Sequence, residues 1–400
     1  MDKRTEPSRV EEVELVAATS AADVPEWMLA SGETLASLGV GGLARRPPLL
    51  RTLLLGVWIV CGLALAPLWV LCALVERLAH GRVAVRSKIL AWRFVHIAWD
   101  DAIVSVCALL PKSYGRTVWS FPPELASAKC ALTIDDAPGR DPAALCELLD
   151  ALRDNDAKAT FFVTTDYAEC LADDAASSRM APQAKAEWCA AVRAALRRMV
   201  NEGHELAHHM PADRPYARQC TDDENGFRAE FARAERVLGA IVADATADAS
   251  TADALAAAPA GDDLAPVPPA RGTLGRWFRP PSAALTPRMA QIVRGLGYRI
   301  ALCDAYSADP WIDGGGAPSA HACRFHARWL GTTMRSGSIA VLHTPERAAR
   351  RQTLEAVRQL LPALQAKGLR AVTLTELADE VLDNHMRAQL NGANQELKLR

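Results

Sequence analysis

From Cys130 onward, apolar runs with strand character alternate with helix-period patterns, and this alternation narrows the fold more than any other feature of the chain. The strand-like runs fall at 130–134, 158–163, 204–207, 276–279, 298–303, 338–342 and 369–373. Between them lie helical patterns at about 141–154, 182–202, 223–239, 286–296, 318–334 and 349–366, and a last helix runs from 375 to about 390. Seven strands separated by helices imply parallel pairing, hence an α/β fold, either a β/α barrel or an open doubly wound sheet. In a barrel of this kind, catalytic groups collect at the C-terminal ends of the strands.

Four of the runs end in chemistry-bearing residues. The first, Ala131-Leu-Thr-Ile-Asp135-Asp136-Ala-Pro138, delivers two adjacent carboxylates before a Pro-Gly turn. On an extended strand end the two side chains would point to opposite sides, one toward a metal and one toward a substrate. Taken alone, the pair reads as an Asx turn capping the helix that starts near Asp141. The second is Gly203-His-Glu-Leu-Ala-His-His-Met-Pro-Ala-Asp213, in which His209 and Asp213 are four apart. If the segment turns helically past Pro211, both face one way and can share a cation. The third, Trp277-Phe-Arg279-Pro-Pro281-Ser282, sets a guanidinium just past a strand, suited to holding a carboxylate ionised through two bonds. The fourth, Ile339-Ala-Val-Leu-His343, ends in an imidazole.

The rest of the chain sets the context. The 400 residues are half apolar, carry a net charge of −2 and show no basic stripe, which excludes nucleic-acid binding by charge. Cys61 and Cys72 lie in an apolar stretch; the other eight cysteines are dispersed without a CxxC pair and read as packed thiols. Residues 1–47 are acidic and weakly periodic, a composition expected to be disordered. Residues 52–75 hold no charge over twenty-four positions, enough to span a hydrocarbon core of roughly 30 Å as a single transmembrane helix. Flanking Arg and Lys residues leave its orientation, and so the membrane side of the C-terminal part, open. An amphipathic stripe over 88–110 suits an interfacial helix. The Ala/Asp/Pro-rich piece 240–271 reads as a disordered insertion, and 384–400 as a polar tail.

The succession LTIDDAP, KATFFV, GHELAHHMPADRP, WFRPPS, IAVLHT and LRAVTLTEL over about 128–380 resembles the polysaccharide deacetylases. These are the NodB-homology, chitin deacetylase-like proteins of carbohydrate esterase family 4. The resemblance implies a distorted (β/α)7 barrel at 128–380 and metal-dependent removal of acetyl groups from N-acetylated sugars, in a glycan or glycolipid. By position, Asp135 matches the catalytic base, Asp136 and His209 metal ligands, Arg279 the residue that orients the base and His343 the catalytic acid. Asp309 stands where an acid could tune His343, and Pro281 and Ser282 where backbone forms part of an oxyanion site.

Three positions depart from the family pattern. Asp213 stands in place of a second histidine ligand, Thr344 follows His343 instead of Asp, and Ser282 replaces Tyr. The expected ligand set is therefore Asp136, His209 and Asp213, suited to Zn²⁺ and also to Co²⁺, Mn²⁺ or Fe²⁺. The expected protein is a membrane-anchored carbohydrate de-N-acetylase whose partners are its glycan substrate and the lipid bilayer, with no protein partner implied. Its alternatives are a glycan-binding barrel without turnover and an amidohydrolase of non-carbohydrate C–N bonds.

Overall fold

The computed structural model describes residues 117–170, 180–247, 274–307, 309–310, 320–345 and 351–399, with a few isolated positions between 56 and 74. The expected disordered start, transmembrane span, interfacial helix and most of the 240–271 insertion lie outside the described residues. Among those described, no helix is long and apolar enough to cross a membrane.

Among the described residues eight strands form one sheet: β1 Lys129–Ala137, β2 Thr160–Val163, β3 Glu205–His208, β4 Leu274–Phe278, β5 Arg299–Ile300, β6 Ala305–Tyr306, β7 Ile339–His343 and β8 Arg370–Val372. Their order is β5-β4-β3-β2-β1-β7-β6, with β8 also paired to β1, and the ladders between them are parallel. The helices are α1 Pro142–Asp154, α2 Thr165–Ala168, α3 Pro182–Asn201, α4 Ala217–Asp222, α5 Glu224–Thr246, α6 Pro287–Gly295, α7 Ala320–Thr333, α8 Arg351–Ala366 and α9 Leu374–Leu399. The result is a curled α/β half-barrel. The segment before β1 bridges between its flanks, Val118 pairing with Ala301 and Ser120 with Ser338.

Most expected elements form, with informative differences. The run 298–303 yields only the two-residue β5, and the short β6 follows as an eighth strand. The helices α2 and α4 are too short to leave a periodic pattern, and α5 continues to Thr246, into the stretch expected as insertion. The helix cap expected of Asp135-Asp136 belongs instead to Asp141, whose carboxylate accepts from the Ala144 N–H at 3.1 Å. That leaves the acidic pair to other work.

The two-residue period of the strands sorts the core. Cys130, Leu132 and Ile134 of β1, Phe161 and Val163 of β2, Leu206 of β3 and Ala340 and Leu342 of β7 face the outer helices in one buried cluster. The alternate residues Ala131, Phe162, Ala207, Trp277 and Ile339 face inward, where α9 plugs the interior with Leu374, Leu377, Ala378 and Val381. A third cluster around Met210, Phe227, Phe231 and Phe278 packs α4, α5 and α6 beneath the ends of β3 and β4. Continuing the inward parity along each strand gives Asp135, His209, Arg279 and His343. The packing that builds the barrel thus also aims the site.

Candidate metal centre and active site

Asp136 is the exception to that parity, and the chain makes it one. On β1 an even-numbered residue should face the outer helices. The register against β2 shifts between Asp135 and Ala137, skipping Asp136, whose φ is 63°. A bulge of this kind re-aims a side chain, and here it turns the Asp136 carboxylate to within 3.6 Å of His209 Nε2. The expectation that Asp135 and Asp136 point to opposite sides therefore fails. Both face the same interior.

His209 follows β3, and its Nδ1 lies 2.8 Å from the carbonyl oxygen of Arg279. A carbonyl only accepts, so Nδ1 carries the proton and Nε2 presents its lone pair, the arrangement by which outer hydrogen bonds fix a metal-binding imidazole. The neighbouring His208 is core: it stacks on Phe231 at 3.8 Å, and burial pushes its imidazole down to about 3. Residues 211–214 form a bend and not the helical turn expected after Pro211, yet His209 and Asp213 still meet. One donor atom from each of Asp136, His209 and Asp213 lies within 4.8 Å of the others. Two ligands at 2.1 Å across a tetrahedral angle sit about 3.4 Å apart, so Asp136 and His209 are nearly in place. Asp213 is exposed, on the bend at 211–214. One imidazole and two carboxylates fit a divalent cation.

Asp135 is held differently. Arg279 Nη1 donates to its carboxylate at 2.7 Å and to Thr133 Oγ1 at 2.7 Å. The other guanidinium donors reach the carbonyls of Ala301 and Leu302 at 3.2 and 3.0 Å, and the ring of Phe162 lies beneath at 4.1 Å. The pair is buried, with side-chain exposures of 3% and 7%, so removing the arginine would strand a carboxylate in the interior. The Thr344 N–H and hydroxyl both donate to the Asp135 carbonyl at 2.9 Å. The departure at 344 thus fastens β7 to the end of β1.

His343 and Asp309 form the third unit. Asp309, with no exposure, accepts from His343 Nδ1 at 3.0 Å, from the His343 backbone N–H at 2.9 Å and from the Thr353 hydroxyl at 3.0 Å. Gln352 donates to its carbonyl at 2.8 Å. Burial opposes charge on His343, but the Asp309 carboxylate and then Asp135 and Asp136 outweigh it and raise the imidazole to about 9. For Asp309, burial pushes upward and the contacts of His343 prevail, leaving the carboxyl below its ordinary range. His343 is therefore a cationic acid fixed through Nδ1, with Nε2 left for the interior.

The structure thus brings together Asp135, Asp136, His209, Asp213, Arg279, Asp309 and His343. Pro281 and Ser282 stand apart: among the described residues no hydrogen bond or ion pair ties them to the other candidates. They form a 3-10 turn, Pro281–Ala283, in which Ser282 has φ 54°. Sequence reasoning missed Thr133, whose inward parity two residues before Asp135 was a usable signal. It also missed Gln352 and Thr353, which no local pattern marks.

No curated protein matches this chain. Among solved structures, the peptidoglycan N-acetylglucosamine deacetylase Bc1960 is 19% identical over 65% of this chain and 91% of its own, with a TM-score of 0.45. The peptidoglycan deacetylase PdaC from Bacillus subtilis is 18% identical over 67% of this chain and 98% of its own, at 0.44. The CE4 family pseudoenzyme BA3943 from Bacillus anthracis is 17% identical over 66% and 69%, at 0.43. The family model described as polysaccharide deacetylase matches residues 124–252, the stretch that carries Asp135, Asp136, His209 and Asp213. By that match the stretch 124–252 resembles the polysaccharide deacetylases, hydrolases that act on N-acetyl groups.

Proposed function

We propose that this domain is a metal-dependent de-N-acetylase of an N-acetylated glycan or glycolipid, with Asp135 as base and His343 as acid. The observation that carries the reading is the pairing of a guanidinium-held carboxylate, Asp135 with Arg279, and a carboxylate-held imidazole, His343 with Asp309, beside one candidate cation site. A positioned base and a positioned acid on either side of the scissile bond are what hydrolysis of an amide requires.

Asp136, His209 and Asp213 would hold a divalent cation, which supplies Lewis acidity and lowers the pKa of water when bound. Zn²⁺ suits the donor set, as do Co²⁺, Mn²⁺ and Fe²⁺. Asp135, held by Arg279 at 2.7 Å, takes the proton from the attacking water. Arg279 and Thr133 hold it so that the carboxylate does not rotate away. His343 donates through Nε2 to the departing sugar amine, a poor leaving group until protonated, while Asp309 retains Nδ1–H and stabilises the cation beforehand. The backbone N–H of Ser282, next to Pro281, is proposed to help hold the developing oxyanion. The uncharged stretch 52–75 is proposed to anchor the domain beside a membrane, which favours a membrane-proximal or lipid-linked glycan.

The test is acetate release by the purified chain from a panel of N-acetylglucosamine oligomers, peptidoglycan fragments, acetylated glycolipids and linear and cyclic amides. Release confined to acetylated sugars is expected. Release confined to non-carbohydrate amides, or metal uptake with no release, would overturn the assignment.

A further inference from the structure

Asp309 lies in a turn three residues beyond β6, outside the described strands and helices. No regular element of its own sets the direction of its carboxylate, yet each oxygen has a defined partner. Oδ1 faces His343 Nδ1 at 3.0 Å. Oδ2 accepts from the His343 backbone N–H at 2.9 Å and from the Thr353 hydroxyl at 3.0 Å. A threonine hydroxyl holds one proton, and Thr353 directs it at Asp309. The neighbouring Gln352 donates to the Asp309 carbonyl at 2.8 Å. Two consecutive residues of α8 thus grip both the side chain and the main chain of one turn residue.

The grip comes from a firmly seated helix. Leu354, Val357, Leu360, Leu361 and Leu364 of α8 are buried in the outer core. Thr353 and Asp309 have no exposure, so water is shut out of their contact and does not replace the hydroxyl when it is removed. Both α8 residues belong to the first turn of the helix, where its dipole also favours a carboxylate. We propose that Thr353 is a positioning residue for turnover: it locks Asp309 with Oδ1 toward His343 Nδ1, while Gln352 holds the turn in reach. The proposal rests on the reading of His343 as the acid.

Without the hydroxyl, Oδ2 keeps only the His343 N–H, and the carboxylate is free to rotate about its Cβ–Cγ bond. The imidazole, at 17% side-chain exposure, then loses the fixed acceptor that orients its ring. A general acid has to lie within hydrogen-bond reach of the departing nitrogen, and a misplacement of ~1 Å can cost ~10²-fold in rate. Thr353 touches neither the substrate nor the reacting atoms in this scheme. It acts through two hydrogen bonds in series, so its loss falls on kcat and leaves KM unchanged.

The test uses the intact chain with Thr353→Val, Thr353→Ser and Asp309→Asn, and with Thr353→Val added to Asp309→Asn. Valine keeps the shape and removes the donor; serine keeps the donor. Proton NMR of the metal-free chain reads the His343 Nδ1–H without any substrate, the signal being assigned by its loss in His343→Gln. A downfield Nδ1–H signal is expected in wild type and Thr353→Ser, and its loss to exchange with water in Thr353→Val and Asp309→Asn. With an N-acetylglucosamine oligomer, kcat should fall about 10–100-fold in Thr353→Val at unchanged KM and recover in Thr353→Ser. Adding Thr353→Val to Asp309→Asn should cost nothing further. An unchanged Nδ1–H signal or wild-type kcat in Thr353→Val, or losses that add across the two positions, would overturn the proposal. Wild-type kcat in Asp309→Asn would instead remove the acid reading on which it rests.

Discussion

At the scale of single residues, the account rests on two buried pairs, Asp135 with Arg279 and His343 with Asp309. The His343 imidazole sits at about 9, so the acid is protonated at neutral pH and kcat/KM should fall as pH rises past that value. A bound cation offsets the share contributed by Asp136 and moves this alkaline limb lower. Asp309→Asn removes the largest raising influence, so the limb should shift toward the ordinary imidazole value of ~6.5, visible in a pH profile or by NMR of the ring. Turnover should fall by about 10²–10⁴. The same raised pKa is a stability statement. Its contribution is present below pH ~6.5 and is lost as pH climbs through about 9. Asp135→Asn should lower kcat by a similar factor of about 10²–10⁴ with its fold intact, since asparagine still accepts from Arg279. Wild-type acetate release by either variant would remove that residue from the mechanism.

At the scale of elements, short segments that escaped the sequence pattern are the ones that set the site. The bulge at Asp136 was invisible because β1 reads as an uninterrupted apolar run, and only the register against β2 reveals the skipped residue. The inward parity of Asp135, His209, Arg279 and His343 was legible, because two-residue alternation is local. The bend carrying Asp213 was not, since its position is set by long-range contacts. Arg214 lies over the Tyr216 ring at 4.1 Å and donates to both Glu230 oxygens at 3.0 Å, clamping the bend to α5. Glu230→Ala should weaken metal binding about 10-fold while the metal-free Tm barely moves, because an exposed pair contributes only ~0–1 kcal/mol. Unchanged metal affinity would show that the clamp does not position Asp213. Away from the site, Asp156 ends α1 with φ 47°, and Ala157 N–H closes onto the Leu152 carbonyl at 3.0 Å. This is the left-handed position where glycine avoids a cost of about 1 kcal/mol. Asp156→Gly should hold or raise Tm in a melting curve, whereas an alanine there should not.

At the scale of the whole molecule, one sheet does two jobs. Its outward residues assemble the core against α1, α3 and α8, and its inward residues change from apolar packing to chemistry toward the strand ends. The alternation of strands and helices was enough to read the α/β class, the parallel pairing and the end of the sheet that carries the site. Closure of the sheet was not legible, since it depends on isolated bridges such as Val118 to Ala301. The metal centre is where these scales meet, because it joins β1, the end of β3 and an exposed bend that no single element defines. Acetate release from an N-acetylglucosamine oligomer, measured after chelation and again after adding Zn²⁺, tests that centre in wild type and in His209→Ala. The account predicts loss on chelation and recovery in wild type, with no recovery in His209→Ala at the same Zn²⁺ concentration. Chelator-resistant release, or full recovery in His209→Ala, would contradict it.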